Sequence, residues 1–155
     1  MIRQATPAEI PLLRDIFLEA IETLTAGQYS AVERAAWMTG ADDIEGFHAR
    51  MAARQPFVAL KGGRIAGYSD LQPDGLIDHF FVAPFAAGRG VGRAMLEQIE
   101  RLATAKGLTE IHAHISLTAE PFFLRNGFVI VERGKVERAG VVLKNALMRK
   151  VLVGS

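Results

Sequence analysis

Three glycines stand at alternate positions in the run Phe81-Val82-Ala83-Pro84-Phe85-Ala86-Ala87-Gly88-Arg89-Gly90-Val91-Gly92-Arg93. Without a Cβ, such a turn lets backbone approach a ligand closely. The apolar spacing of Val91, Met95, Ile99 and Leu102 starts a helix at the same place. A helix start offers N–H groups with no intrahelical acceptor and a partial positive charge, and Arg89 and Arg93 add formal charge beside it. The chemistry implied is anion binding by backbone. A Walker loop would continue into Gly-Lys-Ser/Thr, which is absent. A dinucleotide fingerprint needs a small residue where Met95 stands and an acidic one where Ser116 stands.

Other reactive side chains are sparse. Asp78 and His79 lie shortly before Val82 on one predicted strand, where alternation sends them to opposite faces. Each has a structural alternative, a carboxylate holding a loop or an imidazole satisfied by backbone. His112 and His114 share a strand face but have no neighbouring carboxylate, so packing or substrate contact is expected there and no metal. The chain has no cysteine, which removes disulfides, thiolate metal sites and a thiol nucleophile. Tyr29 and Trp37, the single tryptophan, flank a short predicted helix and can line a pocket or cover the core edge.

These residues need a scaffold, and the periodicity supplies one. Ile2–Ala5 predicts a strand. Thr6-Pro7-Ala8-Glu9 starts a helix carrying Ile10, Leu13, Phe17, Ile21 and Leu24 on one stripe. Ser30 with Glu33 opens a second helix, and Asp42-Asp43 a third with Ile44, Phe47 and Met51 inward. Phe57–Leu60 and Arg64–Leu71 predict a hairpin across Gly62-Gly63. Strands follow at 76–82, 109–116, 128–131 and 141–151, with helices at 88–106 and 118–126. The fold class is α/β (α+β), with helices flanking one mostly antiparallel sheet over a single domain, residues 1–155.

Eighteen Lys plus Arg against seventeen Asp plus Glu give a net charge of +1, which disfavours a nucleic-acid partner. No apolar run approaches the ~18 residues of a membrane span, and the start lacks a leader-like apolar core, so a cytoplasmic location is expected.

Ala87-Gly88-Arg89-Gly90-Val91-Gly92 resembles motif A of the GNAT superfamily of N-acetyltransferases, and Phe81-Val82-Ala83-Pro84 resembles the strand exit before it. Ser116-Leu117-Thr118-Ala119-Glu120-Pro121-Phe122-Phe123-Leu124-Arg125-Asn126-Gly127-Phe128 resembles motif B. The predicted element order also matches.

The resemblance implies acetyl-CoA as cosubstrate, with Gly88, Arg89, Gly90, Val91, Gly92 and Arg93 holding its pyrophosphate. The backbone of Phe81 and Val82 would hold its pantetheine arm, at a fourth strand splayed from the fifth. Ser116, Phe122, Phe123 and Arg125 of motif B join the cofactor-binding candidates. Three positions depart from the pattern: Ala87 replaces Gln or Arg, Ser116 replaces Asn, and Phe123 replaces a Tyr that often protonates the leaving thiolate. A thiol with a pKa of about 8.5 leaves tolerably without that acid.

The implied activity is direct transfer of an acetyl group to a primary amine in a ternary complex, with a small-molecule amine preferred as acceptor. Asp78 and His79 are the candidate catalytic residues, with a water relay as the alternative, and Tyr29 and Trp37 the candidate substrate-binding residues. No metal is expected. The basic residues Arg133, Lys135, Arg138, Lys144, Arg149 and Lys150 of the C-terminal segment read as a solvated face, or as a contribution to CoA-phosphate or acidic-substrate binding. Homodimerisation through the C-terminal strands is implied by resemblance. The alternative function is a catalytically silent CoA-binding sensor.

Overall fold

Glu9 accepts the Thr6 N–H at 2.8 Å, and one 3-10 turn, Pro7–Glu9, leads into the first long helix. The computed structural model describes residues 1–152. The helices are α1 (Ile10–Leu24), α2 (Ala31–Met38), α3 (Ile44–Arg54), α4 (Val91–Ala105) and α5 (Glu120–Arg125). The strands are β1 (Ile2–Gln4), β2 (Phe57–Lys61), β3 (Arg64–Ser69), β4 (Phe80–Val82), β5 (Glu110–Ser116), β6 (Val129–Arg138) and β7 (Val141–Val151).

All ladders are antiparallel, in two sheets ordered β1-β2-β3-β4 and β5-β7-β6. A single parallel bridge, Leu76 to His112, joins them. Around it Ile77 N–H donates to His112 O at 2.8 Å and His112 N–H to Gly75 O at 3.0 Å. Beyond Ile77 the halves part, which gives the expected splay of the fourth strand from the fifth.

Apolar residues fill both faces. On β2, Phe57 and Ala59 join the cluster under α4, while Val58 joins the one formed with α1 and α3. In α1 the buried stripe is Ile10, Leu13, Ile16, Phe17, Ala20 and Ile21.

Several predicted boundaries move for local reasons. α4 starts at Val91 and not Gly88, because Gly88 and Gly90 adopt φ of 74° and 84°, outside helical space. Ile44, expected on the inner face of α3, is 54% exposed. It is the first residue of its helix, and side chains lean toward the helix start, so it overhangs the core edge. β6 runs on to Arg138 through residues polar on both faces, since β7 supplies a template that alternation alone does not reveal. The strand expected from Leu76 is regular only over Phe80–Val82, and the cause lies at the site.

Candidate active site

Between the split sheets lies a cleft of about 860 Å³. Its apex is the Ile77–His112 connection, and its walls are the segment from Asp78 to Phe81 and the start-to-end run of β5 from Ala113 to Ser116. Asp70 lies beside the point where the sheets part. Its carboxylate, 1% exposed, accepts the N–H groups of His79 at 2.7 Å and Asp78 at 3.1 Å, and Ser69 Oγ donates to His79 O at 2.6 Å. These bonds fix the Asp78–His79 segment against the end of β3. Burial raises the Asp70 pKa, opposed mainly by the hydrogen bond from His79.

Register decides which β4 groups face the cleft. Ala83 N–H donates to Ala66 O at 2.8 Å, and Phe81 pairs with Tyr68 two residues earlier. In an antiparallel ladder such hydrogen-bonded pairs alternate with pairs whose N–H and C=O point away. Phe81 therefore spends its backbone on β3, whereas Phe80 and Val82 turn theirs to the cleft. Of the two expected positions, Val82 turns its backbone to the cleft, whereas Phe81 gives its backbone to β3 and Phe80 faces the cleft beside Val82. The Phe81 ring packs on Phe17 (centroids 5.1 Å apart) and Tyr68 (5.8 Å).

At the far end of β4 the chain turns through the glycine loop. Gly88 and Gly90 N–H meet no backbone acceptor among the described residues, and Val91, Gly92 and Arg93 supply the free N–H groups of the first turn of α4. A Cβ built at Gly88 or Gly90 would meet no atom within 4 Å, so this face is open. One built at Gly92 would lie 3.2 Å from Phe122, which backs the loop. Arg89 is exposed; Arg93 pairs with Glu97 at 3.4 Å. Clustered donors without acceptors fit a diphosphate.

Motif B contributes support more than contact. Ser116 Oγ accepts Ala119 N–H at 3.2 Å, shaping the turn into α5, and lines the cleft. Phe123, 1% exposed, packs edge-on against Phe80, Phe122 and Phe128, so it forms core at the cleft floor. Arg125 is exposed at the end of α5.

Asp78 and His79 precede β4 and line the cleft. Asp78 forms an ion pair with Arg54. His79 sits among Phe17, Phe47, Tyr68 and Phe81, and its pKa falls to about 4. Burial is the main cause; Arg54 and Arg50 push the same way and Asp78 opposes them. The ring is neutral at pH 7. Tyr68 Oη lies 3.0 Å from His79 Nδ1, and no other partner for that hydroxyl exists among the described residues. Burial holds Tyr68 protonated well beyond its usual range. Donation from Tyr68 to Nδ1 satisfies both and leaves the imidazole proton on Nε2.

Tyr29 lines the cleft and is also tied into the scaffold. Its hydroxyl donates to Lys144 O at 2.5 Å and accepts Leu117 N–H at 2.9 Å, tying the segment before α2 to β7 and to the end of β5. With 4% exposure it offers the cleft only part of its ring. Trp37, half-buried, stands edge-on to Tyr29 and lines the cleft beside Phe81.

Sequence reasoning missed Asp70, Arg50, Arg54 and Asn145. Nothing local marks the first three; Asn145 belongs to the basic C-terminal stretch that held the only hint. His114 reaches the cleft, and no group of three or more possible metal ligands exists among the described residues. No helix among them is long and apolar enough to cross a membrane.

A mixed fold split beside a glycine-rich helix start is the architecture of a GNAT-type acetyltransferase. Residues 25–152 match the family model described as an acetyltransferase (GNAT) domain, and the chain belongs to that family. It is an acetyl-CoA-dependent N-acetyltransferase. The chain is 33% identical to the uncharacterized N-acetyltransferase YafP of Escherichia coli (strain K12) over 149 residues, 96% of this chain and 93% of that one. A GCN5-related N-acetyltransferase from Rhodopseudomonas palustris superposes with a TM-score of 0.94 at 34% identity, over 98% of this chain and 95% of that one. The fold is shared with yncA from Salmonella typhimurium, solved with its cofactor acetyl-CoA: TM-score 0.73, 21% identity, over 100% and 95% of the two chains.

Proposed function

We propose that this chain, as one domain, transfers an acetyl group from acetyl-CoA directly to the primary amine of a small molecule. The observation that carries this reading is the pairing of an open β4 edge with a glycine cradle at the same strand's end. The amides of Gly88 and Gly90 to Arg93 hold the diphosphate, and the free N–H and C=O groups of Phe80 and Val82 hold the pantetheine arm. The yncA structure, solved with acetyl-CoA on the same fold, supports acetyl-CoA as the cosubstrate.

The amine nitrogen forms a bond to the acetyl carbon, the C–S bond breaks, and one proton leaves the nitrogen. An N–H of the open β4 edge is placed to stabilise charge on the carbonyl oxygen. His79, with a pKa of about 4, is a weak base, so its part is to orient the amine or a relaying water through Nε2–H. Asp78, tied to Arg54, fixes the same corner. Water takes the proton, and the thiolate, with a pKa of about 8.5, leaves without an acid at Phe123.

Calorimetric titration with acetyl-CoA, and with a pantetheine fragment lacking the diphosphate, tests the cradle. Acetyl-CoA is expected to bind, the fragment at least tenfold more weakly, and Gly90→Asp to abolish binding by placing a carboxylate among the donors. Undiminished binding by Gly90→Asp overturns the reading.

A further inference from the structure

We propose that the acceptor is a small amine that also bears an anionic group, carboxylate or phosphate, recognised by Arg50 on α3 with Arg138 of β6 facing it across the cleft; this rests on the acetyl-transfer reading above.

The charge distribution carries the argument. The whole chain is nearly balanced, yet the cleft is lined by Arg50, Arg54, Lys135, Arg138 and Lys144 against only Asp78 and Glu132. Asp78 is already taken by Arg54. Arg50 has no carboxylate partner among the described residues. It is held in place nevertheless, donating through one nitrogen to Gly40 O at 2.7 Å, which leaves the rest of its fork free. Arg138 likewise has only the carbonyl of its neighbour Glu137, at 3.0 Å. Alternation along β6 puts Arg138 on the face of Glu132, Gly134 and Val136, all of which line the cleft.

These cations do not serve the diphosphate. They come from α3 and the β6–β7 hairpin and line the cleft together with Asp78 and His79, whereas the glycine loop lies beyond the other end of β4 and contributes no residue to this lining. Arg50 lines the same cleft as Asp78 and His79. A bare ammonium or a polyamine would be repelled there. A molecule that pairs its amine with an anion would be drawn in, and the surrounding guanidinium groups favour loss of the ammonium proton.

The test is acetyl-CoA-dependent thiol release by the full chain with matched acceptors. The probes are β-alanine and its amide, aminoethyl phosphate and ethanolamine, and spermidine. Each anionic member should exceed its neutral partner by roughly tenfold or more in kcat/KM, mainly through KM, and spermidine should be poorest. The carboxylate and phosphate arms distinguish the two anions. Arg50→Gln should collapse that preference while retaining acetyl-CoA binding by calorimetry, which also certifies folding, and Arg50→Lys should restore part of it. Equal rates for neutral and anionic partners, a preference for spermidine, or no turnover of any anionic amine despite acetyl-CoA binding would overturn the proposal. Failure of the wild-type chain to bind acetyl-CoA would instead overturn the reading beneath it.

Discussion

The Asp70 carboxylate accepts the backbone N–H of His79 at 2.7 Å, and that bond ties the segment before β4 to the end of β3. Asp70→Ala would strand two buried donors, those of Asp78 and His79, at a cost of about 2–4 kcal/mol. Asp70→Asn keeps an acceptor oxygen and should cost less. Urea unfolding measures both. Calorimetry should show the alanine variant binding acetyl-CoA more weakly, because the segment leading into the open strand edge loses its anchor. Unaltered affinity in a folded Asp70→Ala protein would separate Asp70 from the cleft.

The stability of the chain should depend on pH through His79. Its folded pKa of about 4 lies below the ordinary value near 6.5, so between those values the unfolded chain binds more protons than the folded one. Stability from this residue is full above pH 6.5 and falls on acidification toward pH 4. Asp70 has the opposite sign: its raised pKa makes the folded chain the better proton binder, so its contribution falls as pH rises through that raised value. Comparing unfolding at pH 5 and pH 7 in wild type and His79→Gln isolates the first effect. The loss at pH 5 should shrink in the variant; an equal loss would place the titration elsewhere.

Tyr29 should act on stability more than on chemistry. Tyr29→Phe removes the hydroxyl shared by Lys144 O and Leu117 N–H and should cost about 1–3 kcal/mol in thermal or urea unfolding. The kcat of the variant should stay within about twofold of wild type. A large loss of kcat without loss of stability would return the hydroxyl to the reacting atoms.

Trp37 gives the cleft an optical reporter, being the only tryptophan and half-buried on its wall. Its emission should change on adding an acceptor that fills the cleft. With Trp37→Ala the acceptor KM should rise about tenfold, with little change in acetyl-CoA affinity. A KM that does not move would confine Trp37 to packing against Tyr29.

Much of this molecule is legible in its chain because the signals are local. Capping at Ser30 and Asp43, the 3.6-residue stripes of α1 and α4, and the glycines before Val91 act within one or two turns. They yielded the element order and the glycine turn that opens α4 directly. The cleft lies beyond such reasoning. Asp70 reads as one more loop carboxylate until the fold places it under the N–H groups of Asp78 and His79, eight and nine residues on. Which of Phe80, Phe81 and Val82 keeps a free backbone depends on pairing with β3, and a shift of one residue would exchange them. Arg50 and Arg138 are far apart in sequence, and only packing sets both on one cavity. Periodicity and turn chemistry are properties of neighbours along the chain; a site is a property of neighbours in space, decided by register and burial.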